Sequence, residues 1–435
     1  MRIGLDGYNL AMPHGTGVAT YGASLASVLG GHGHRIEGVF GLDAGHDIRR
    51  RELLFHDHFG HGHRLRGEQI ARRVGASLIV NHLPRRLSRV PITGAIDRRG
   101  FGYRLPAFDA LWTSPLLFEL AYARFFHLRR FTTVTLPDPP EAMHWTYPLP
   151  LRMAGARNIY TIHDLVPLRL PHTTLDDKSY YHRLVARCLR HADHICTVSE
   201  SSRNDLLSLF DVAPDKVSNC YQSSPIPPEI AASNRGEDAA IIEGMFGLKD
   251  KGYNLFFGAV DPKKNIGRIV DAFLTSGSSA QLVLVGARSW GMDEETKMLG
   301  KNGQVYGRRL GRRIMRLEYL PRATLFRLIR TARAVLFPSL YEGFGLPALE
   351  AIQIGTPVIA SNVSSLPEVV GDAGLLVDPY KTHEIAAAIR ALDADPTLAD
   401  RLRAAGPSQA ARFSDEAWAA RLSEMYRRMG LPVGG

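Results

Sequence analysis

Cysteine is nearly absent from this chain of 435 residues. The three present, Cys188, Cys196 and Cys220, form neither a disulfide framework nor a metal-ligand spacing, and so few thiols suit a reducing compartment. Long apolar runs are missing too, since no stretch approaches the roughly 18 residues of a membrane-spanning helix. The opening, MRIGLDGYNL, has no signal-peptide apolar region and reaches an acid at Asp6. It reads as the first strand of the fold, and a cytoplasmic location is expected. Acids are scarce in one segment. Residues 49–104 hold thirteen arginines (49, 50, 51, 64, 66, 72, 73, 85, 86, 89, 98, 99 and 104) against Glu52, Asp57, Glu68 and Asp97. That excess is nearly the whole net charge of +10. Such a patch is either a solvated helical face or a contact for phosphate, nucleic acid or a membrane surface.

The length is too great for one hydrophobic core and implies about two or three domains. In the second half, strand-like runs (YNLFFGAV 253–260, AQLVLVG 280–286, AVLFPS 334–339, PVIAS 357–361) alternate with helical patterns (265–276, 323–332, 347–354, 383–392). This alternation predicts a parallel sheet with helices on both faces. The first half repeats it in RIGLDG, RIEGVFGL, ALWTS, NIYTIHDL and HICTVSE, with helices over 18–30 and 180–192. Residues 44–105 fit poorly and read as an insertion of helices and loops. The Pro-, Ser- and Asn-rich stretch 223–238 is the best linker. The expected architecture is α/β: a domain over 1–232 and a second over 233–435 that ends in a helix over 415–429. Two doubly wound sheets facing a deep cleft would bind ligands at the carboxyl ends of their strands.

The chemistry concentrates in SLYEGFGLPALEA, 339–351. Gly343 and Gly345 let the backbone approach a ligand. Pro347 suits the first turn of a helix, whose free N–H groups favour an anion such as a diphosphate. Glu350 either accepts the hydroxyls of a ribose diol or complements the helix dipole. Lys264, in DPKKN, stands after a strand and before a helix. It is either a surface lysine or a cation aimed at a departing phosphate. His163, in TIHDL, follows a strand; it is a core histidine or a group near a substrate hydroxyl. Gly15 and Gly17, in HGTGVATYGASLA, precede a helix, but Thr20 stands where a dinucleotide fingerprint needs glycine. His56, His58, His61 and His63 could ligate zinc only in a tightly folded loop, and no cysteine accompanies them.

PSLYEGFGLPALEAIQIGTPVIASNVSSLPEVVGDAGLLVDP resembles the nucleotide-sugar-binding core of retaining glycosyltransferases of the GT-B fold, family 4. Glu342 and Glu350 match that family's E-x7-E motif. FFGAVDPKKNIGRIVDAF, TIHDLVPLRLP, CTVSESSRNDL and GTGVATYGASLA extend the resemblance over most of the chain outside about 44–105. It implies two Rossmann-like domains. Glu350 would bind ribose and Glu342 the transferred sugar. The backbone of Phe344, Gly345 and Leu346 would hold phosphates and sugar. Lys264, with Lys263 beside it, would contact the diphosphate, and His163 the sugar. The loop of Gly15 and Gly17 would cover both. Many relatives carry Arg where this chain has Ala259, so Arg268 is a candidate for the missing charge.

The implied reaction moves a sugar from a nucleoside diphosphate to an acceptor hydroxyl with retention, without cofactor or metal. The wording resembles bacterial polysaccharide enzymes, many of them mannosyltransferases. GDP-mannose is therefore the first donor expected, with UDP-sugars behind it. The acceptor is expected to be a glycan or a lipid-diphosphate-linked glycan bound by the first domain. The arginine-rich insertion would then touch an anionic membrane at the inner face of the plasma membrane. A sugar-nucleotide epimerase of the same fold, a pyridoxal-phosphate glycan phosphorylase and a basic nucleic-acid or membrane-surface protein are the alternatives. No nucleic-acid motif is recognisable, and no nucleic-acid partner is expected.

Overall fold

The computed structural model describes residues 1–12, 17–61, 84–97, 101, 105–286 and 313–432. In its first half lie β1 (Arg2–Asp6), β2 (Arg35–Phe40), β3 (Arg85–Arg86), β4 (Ser88–Val90), β5 (Ala110–Thr113), β6 (Thr132–Thr135), β7 (Ala142–Trp145), β8 (Leu151–Met153), β9 (Arg157–Ile162), β10 (His194–Thr197) and β11 (Val217–Asn219). The main sheet runs β11-β10-β9-β7-β1-β2-β5-β4, while β3, β6 and β8 form a small sheet beside it. All main-sheet neighbours are parallel except β4, which lies antiparallel on β5.

The second half holds β12 (Tyr253–Phe257), β13 (Gln281–Val285), β14 (Ile314–Leu317), β15 (Ala334–Phe337), β16 (Val358–Ser361) and β17 (Gly374–Val377). Their order, β14-β13-β12-β15-β16-β17, is the doubly wound 3-2-1-4-5-6 arrangement, parallel throughout. Strands YNLFF and AVLF are buried at every position, as a sheet covered on both faces requires. Helix Ile266–Ser276 shows how the covering works. Its buried Ile266, Ile269, Val270 and Phe273 follow the i, i+3, i+4, i+7 spacing of one helical face.

In the first sheet, successive side chains feed opposite cores. Ile3, Leu5, Ala142 and Ile159 join one apolar cluster, and Met143, Trp145, Tyr160 and Ile162 join the other. The closing helix Asp415–Arg428, expected with the second domain, packs on the first. Its Trp418 ring lies 5.4 Å from Tyr21, and Tyr426 Oη lies 3.1 Å from the buried His144 Nδ1. The chain therefore crosses between the halves twice.

Two further expectations change. The stretch read as an insertion supplies part of the core. Helix Arg51–His61 buries Phe55 and Phe59 edge-on to Phe40 at 5.1 and 6.0 Å, and β4 extends the sheet. Residues 62–83, 98–100 and 102–104, with seven of the thirteen arginines, lie outside the described residues. The linker is shorter than 223–238, because helices Pro228–Ala232 and Arg235–Phe246 begin inside it. Asn234 and Glu237 form a reciprocal capping box at the second of these.

Candidate functional site

The strand order of the second sheet reverses between β12 and β15, so the loops after these strands meet. After β12 comes the single turn Pro262–Lys264, ended by Asn265 in the left-handed region at φ 62°. The Asn265 amide donates to the Pro338 and Pro379 carbonyls at 2.9 and 2.7 Å, and Leu340 N–H donates to Lys263 O at 2.7 Å. These bonds clamp the two loops together. Lys264 Nζ then reaches Glu342 Oε1 at 2.6 Å, 4.8 Å above the Phe337 ring.

Burial alone would raise the Glu342 carboxyl. The ammonium groups of Lys264 and Lys263 outweigh it and hold the acid below its ordinary range, hence ionised. Burial likewise opposes the charge on Lys263, but Asp164, Glu342, Asp261 and Asp176 raise it above the ordinary lysine value. Asp164 and Asp176 belong to the first domain, so this lysine sits in the field of both halves.

Gly345 precedes helix Leu346–Gln353 with φ 107°, where a side chain would be strained. The N–H groups of Phe344, Gly345 and Leu346 take no acceptor among the described residues. They form the open helix terminus that the sequence implies. One turn in, Glu350 is buried, and its Oε1 accepts from Ser224 Oγ at 2.8 Å and Arg322 at 3.4 Å. Burial raises this carboxyl, against the pull of Arg322 and Ser224. A diol gripping both carboxylate oxygens would share Oε1 with Ser224.

In the first sheet the reversal falls between β1 and β7. Asp6, at the end of β1, accepts the Thr146 N–H just past β7. The Thr146 carbonyl lies 2.8 Å from His163 Nε2. A carbonyl only accepts, so Nε2 carries the proton and Nδ1 keeps the lone pair of the neutral ring. Burial holds the imidazole below its ordinary value. Tyr21 meets it edge-on at 4.7 Å. Asp164 orients its own loop, its Oδ1 accepting Val166 N–H at 3.1 Å.

The halves meet at Gly343. Its carbonyl accepts from Ser199 Oγ at 2.6 Å, and Ser202 Oγ, 3.2 Å from it, donates to the His163 carbonyl at 2.7 Å. A Cβ on Gly343 would stand 2.5 Å from that same oxygen. Glu368 of the second domain caps helix Glu200–Leu209 of the first, accepting Glu200 and Ser201 N–H at 3.0 and 2.9 Å. The first half also holds a cavity of about 470 Å³ walled by Tyr8, Tyr122, Tyr147, Tyr180 and Tyr181, with Asn9 and Asp176. Asn9 is 7% exposed, and its Nδ2 has no hydrogen-bond partner among the described residues.

Lys263, Lys264, Glu342 and the Phe344–Leu346 loop thus form one cluster, with Glu350 on the following helix and His163 facing Gly343 from the other half. Arg268 stands apart: it donates to Asn265 Oδ1 at 2.9 Å and lies over the Tyr380 ring at 5.7 Å. Gly17 starts helix Gly17–Gly31, with open space where a side chain would be. Gly15 lies outside the described residues, as do His63 and the side chain of His61. A ring nitrogen of His56 and one of His58 lie against the main-chain carbonyls of Glu52 and Asp43. The sequence reading missed Asp6, Thr146, Ser199, Ser202, Ser224 and Arg322. Asp6 carried a signal, as an acid closing an apolar strand; the serines carried none.

The family described as glycosyl transferases group 1 matches residues 245–409, the half that holds the Lys264–Glu342 cluster. O-antigen chain mannosyltransferase B of Escherichia coli is 35% identical over 72% of this chain and 80% of the relative. Among solved structures, a sucrose-phosphate synthase of Thermosynechococcus elongatus superposes with TM-score 0.67 at 20% identity, over 99% of both chains. Anabaena HepE in complex with UDP and glucose does so with TM-score 0.64 at 15% identity, over 98% of this chain and 99% of that one. These superpositions give the fold as GT-B. The match of the second half and the relative's identity and coverage place the chain in the group 1 glycosyltransferases, enzymes that use a nucleotide sugar as donor.

Proposed function

We propose that this enzyme transfers mannose from GDP-mannose, with retention, to a hydroxyl of a lipid-diphosphate-linked glycan during bacterial polysaccharide assembly, at the cytoplasmic face of the membrane. The name of the 35% identical relative supports both the sugar and the pathway class. The observation that carries the reading is the Lys264–Glu342 pair beside an open helix N-terminus at the reversal of strand order.

The diphosphate binds the free N–H groups of Phe344 to Leu346 and the ammonium groups of Lys263 and Lys264. As the bond from the anomeric carbon to the phosphate oxygen breaks, these cations take up the charge gained by the leaving nucleoside diphosphate. The acceptor oxygen attacks from the same face, and its proton passes to the departing phosphate oxygen. In this reading two lysines, not a metal ion or cofactor, supply the positive charge. Glu342 holds Lys264 at that oxygen and meets the sugar, and Glu350 binds ribose. His163, with Nε2 fixed by Thr146, presents an accepting Nδ1 to a sugar hydroxyl. The tyrosine-walled cavity takes the acceptor sugar, with Asn9 as an idle donor inside it.

A thermal-shift panel of GDP-, UDP- and ADP-sugars tests the donor, GDP-mannose being expected to give the largest shift. Glu350→Ala should abolish most of it; an unchanged shift would overturn the ribose assignment. Transfer of labelled mannose to a lipid-linked acceptor, with the anomeric configuration read by NMR, tests the reaction.

A further inference from the structure

Helix Leu117–Leu128 ends with its apolar residues in the open. Phe126 is 50% exposed and Leu128 is 43% exposed, while the neighbouring Phe125 is fully buried against Phe131 and Tyr180 at 5.7 and 5.4 Å. One exposed apolar side chain is ordinary; the surroundings of this pair are not. Arg129 and Arg130 follow at once and are exposed, with Arg129 lying over the Phe126 ring at 5.9 Å. Arg152, on β8, is exposed and donates to Thr133 Oγ1 at 3.0 Å.

The helix Lys178–His191 brings Arg187 and Arg190 to the same place, because His191 packs on Phe131 at 4.7 Å. Burial, and then the charges of Arg152, Arg187, Arg190 and Lys216, hold that histidine below its ordinary value. Among the described residues no carboxylate pairs with any of these five arginines. Elsewhere on this chain exposed arginines do find acids, as Arg157 finds Asp193 and Arg427 finds Glu424.

We propose that this face docks the enzyme on an anionic lipid bilayer. Phe126 and Leu128 enter the headgroup boundary, and the five arginines lie over lipid phosphates. Exposed apolar residues ringed by unpaired cations fit this chemistry: burial of the apolar tips and attraction to anionic headgroups act together. The position also fits the lipid-linked acceptor of the proposed function, on which this inference rests. Tyr180 touches Phe126 at 6.0 Å and also walls the tyrosine cavity, as does Tyr122 one turn before Phe126. A glycan anchored in the bilayer would enter the cavity beside the docking face.

Co-sedimentation of the full chain with vesicles tests this, using phosphatidylcholine alone or mixed with phosphatidylglycerol. The wild type should bind the mixed vesicles and leave the neutral ones. Arg129→Glu with Arg130→Glu should weaken binding by at least about tenfold, and Phe126→Ser with Leu128→Ser should weaken it in both low and high salt. Arg49→Glu with Arg50→Glu should change little. Phe126→Trp should show blue-shifted emission on mixed vesicles only. Equal binding by all variants, loss only in the Arg49/Arg50 variant, or binding to heparin and DNA that outcompetes vesicles would each overturn the proposal. The nucleotide-sugar thermal shift is read on the same samples. A kept shift with no vesicle dependence on this face sinks the docking alone; no shift with face-dependent binding sinks the transferase reading alone.

Discussion

Lys264 Nζ and Glu342 Oε1 stand 2.6 Å apart, with side chains 10% and 8% exposed. The pair is a structural bond and, in the proposed reaction, the polar centre of the donor site, and the two roles separate by mutation. Removing one partner of a buried pair costs roughly 3 kcal/mol, because the other charge is left without compensation. Lys264→Met and Glu342→Gln should each lose about that much in urea unfolding. The double variant Lys264→Met/Glu342→Gln should recover most of it, yet stay at least about a hundredfold slower in transfer. A double variant as unstable as the sum of its parents would refute the coupling.

The close approach of Gly343 to His163 makes a second site testable. An alanine Cβ there would sit 2.5 Å from the His163 carbonyl oxygen and 3.0 Å from Asp164 Cβ. Both neighbours belong to the opposite domain, so Gly343→Ala should push the halves apart more than it disturbs either. The expected result is a drop of about tenfold or more in kcat with donor affinity, read by calorimetry, changed less than threefold.

Asp6 predicts a pH dependence. Burial raises its carboxyl to about 6, against the N–H bonds of Thr146 and Tyr8. The folded chain therefore holds this proton in a range where the unfolded chain has lost it, so stability falls as pH rises from about 4 to about 6. Asp6→Asn removes that dependence. Between pH 5 and pH 7.5 the stability of the wild type relative to Asp6→Asn should fall by roughly 1.4 kcal/mol, about one pKa unit's worth. Urea unfolding at the two values measures it, and a constant difference would show that Asp6 is ionised throughout.

Glu368 caps a helix of the other domain through two N–H groups. Glu368→Ala should remove about 1 kcal/mol of that cap and let the two halves separate. Small-angle scattering should give a larger radius of gyration for it, with the donor thermal shift retained.

Much of this was legible beforehand, and the reasons for the rest are physical. The strands and helices of the second half follow from periodicity, because each buries a full face within its own segment, as Ile266, Ile269, Val270 and Phe273 do. The lysine–glutamate cluster is readable because strand order places consecutive motifs together. The chain from Asp6 through Thr146 to His163 joins residues 140 positions apart, and nothing local in any of them records the others. The grip of Ser224 and Arg322 on Glu350 is equally remote, and Ser224 sits in a stretch that composition marks only as linker. The closing helix has an ordinary amphipathic pattern, which states that it covers a core but not which one. The Asn234–Glu237 capping box lies three residues apart in the sequence and marks the start of the second helix inside the stretch read as linker.

Tyr221 and Phe413 meet edge to face at 5.1 Å, and the Phe344 ring stands 5.4 Å from Phe413. Tyr221 lies on the first crossing between the halves and Phe413 on the second, just before the closing helix. Two stretches of chain side by side tie the halves together as a pair of door hinges does, where one crossing alone would be a ball joint. Any opening would then be confined to one axis, and the loop that carries Phe344 is bolted to the hinge post itself.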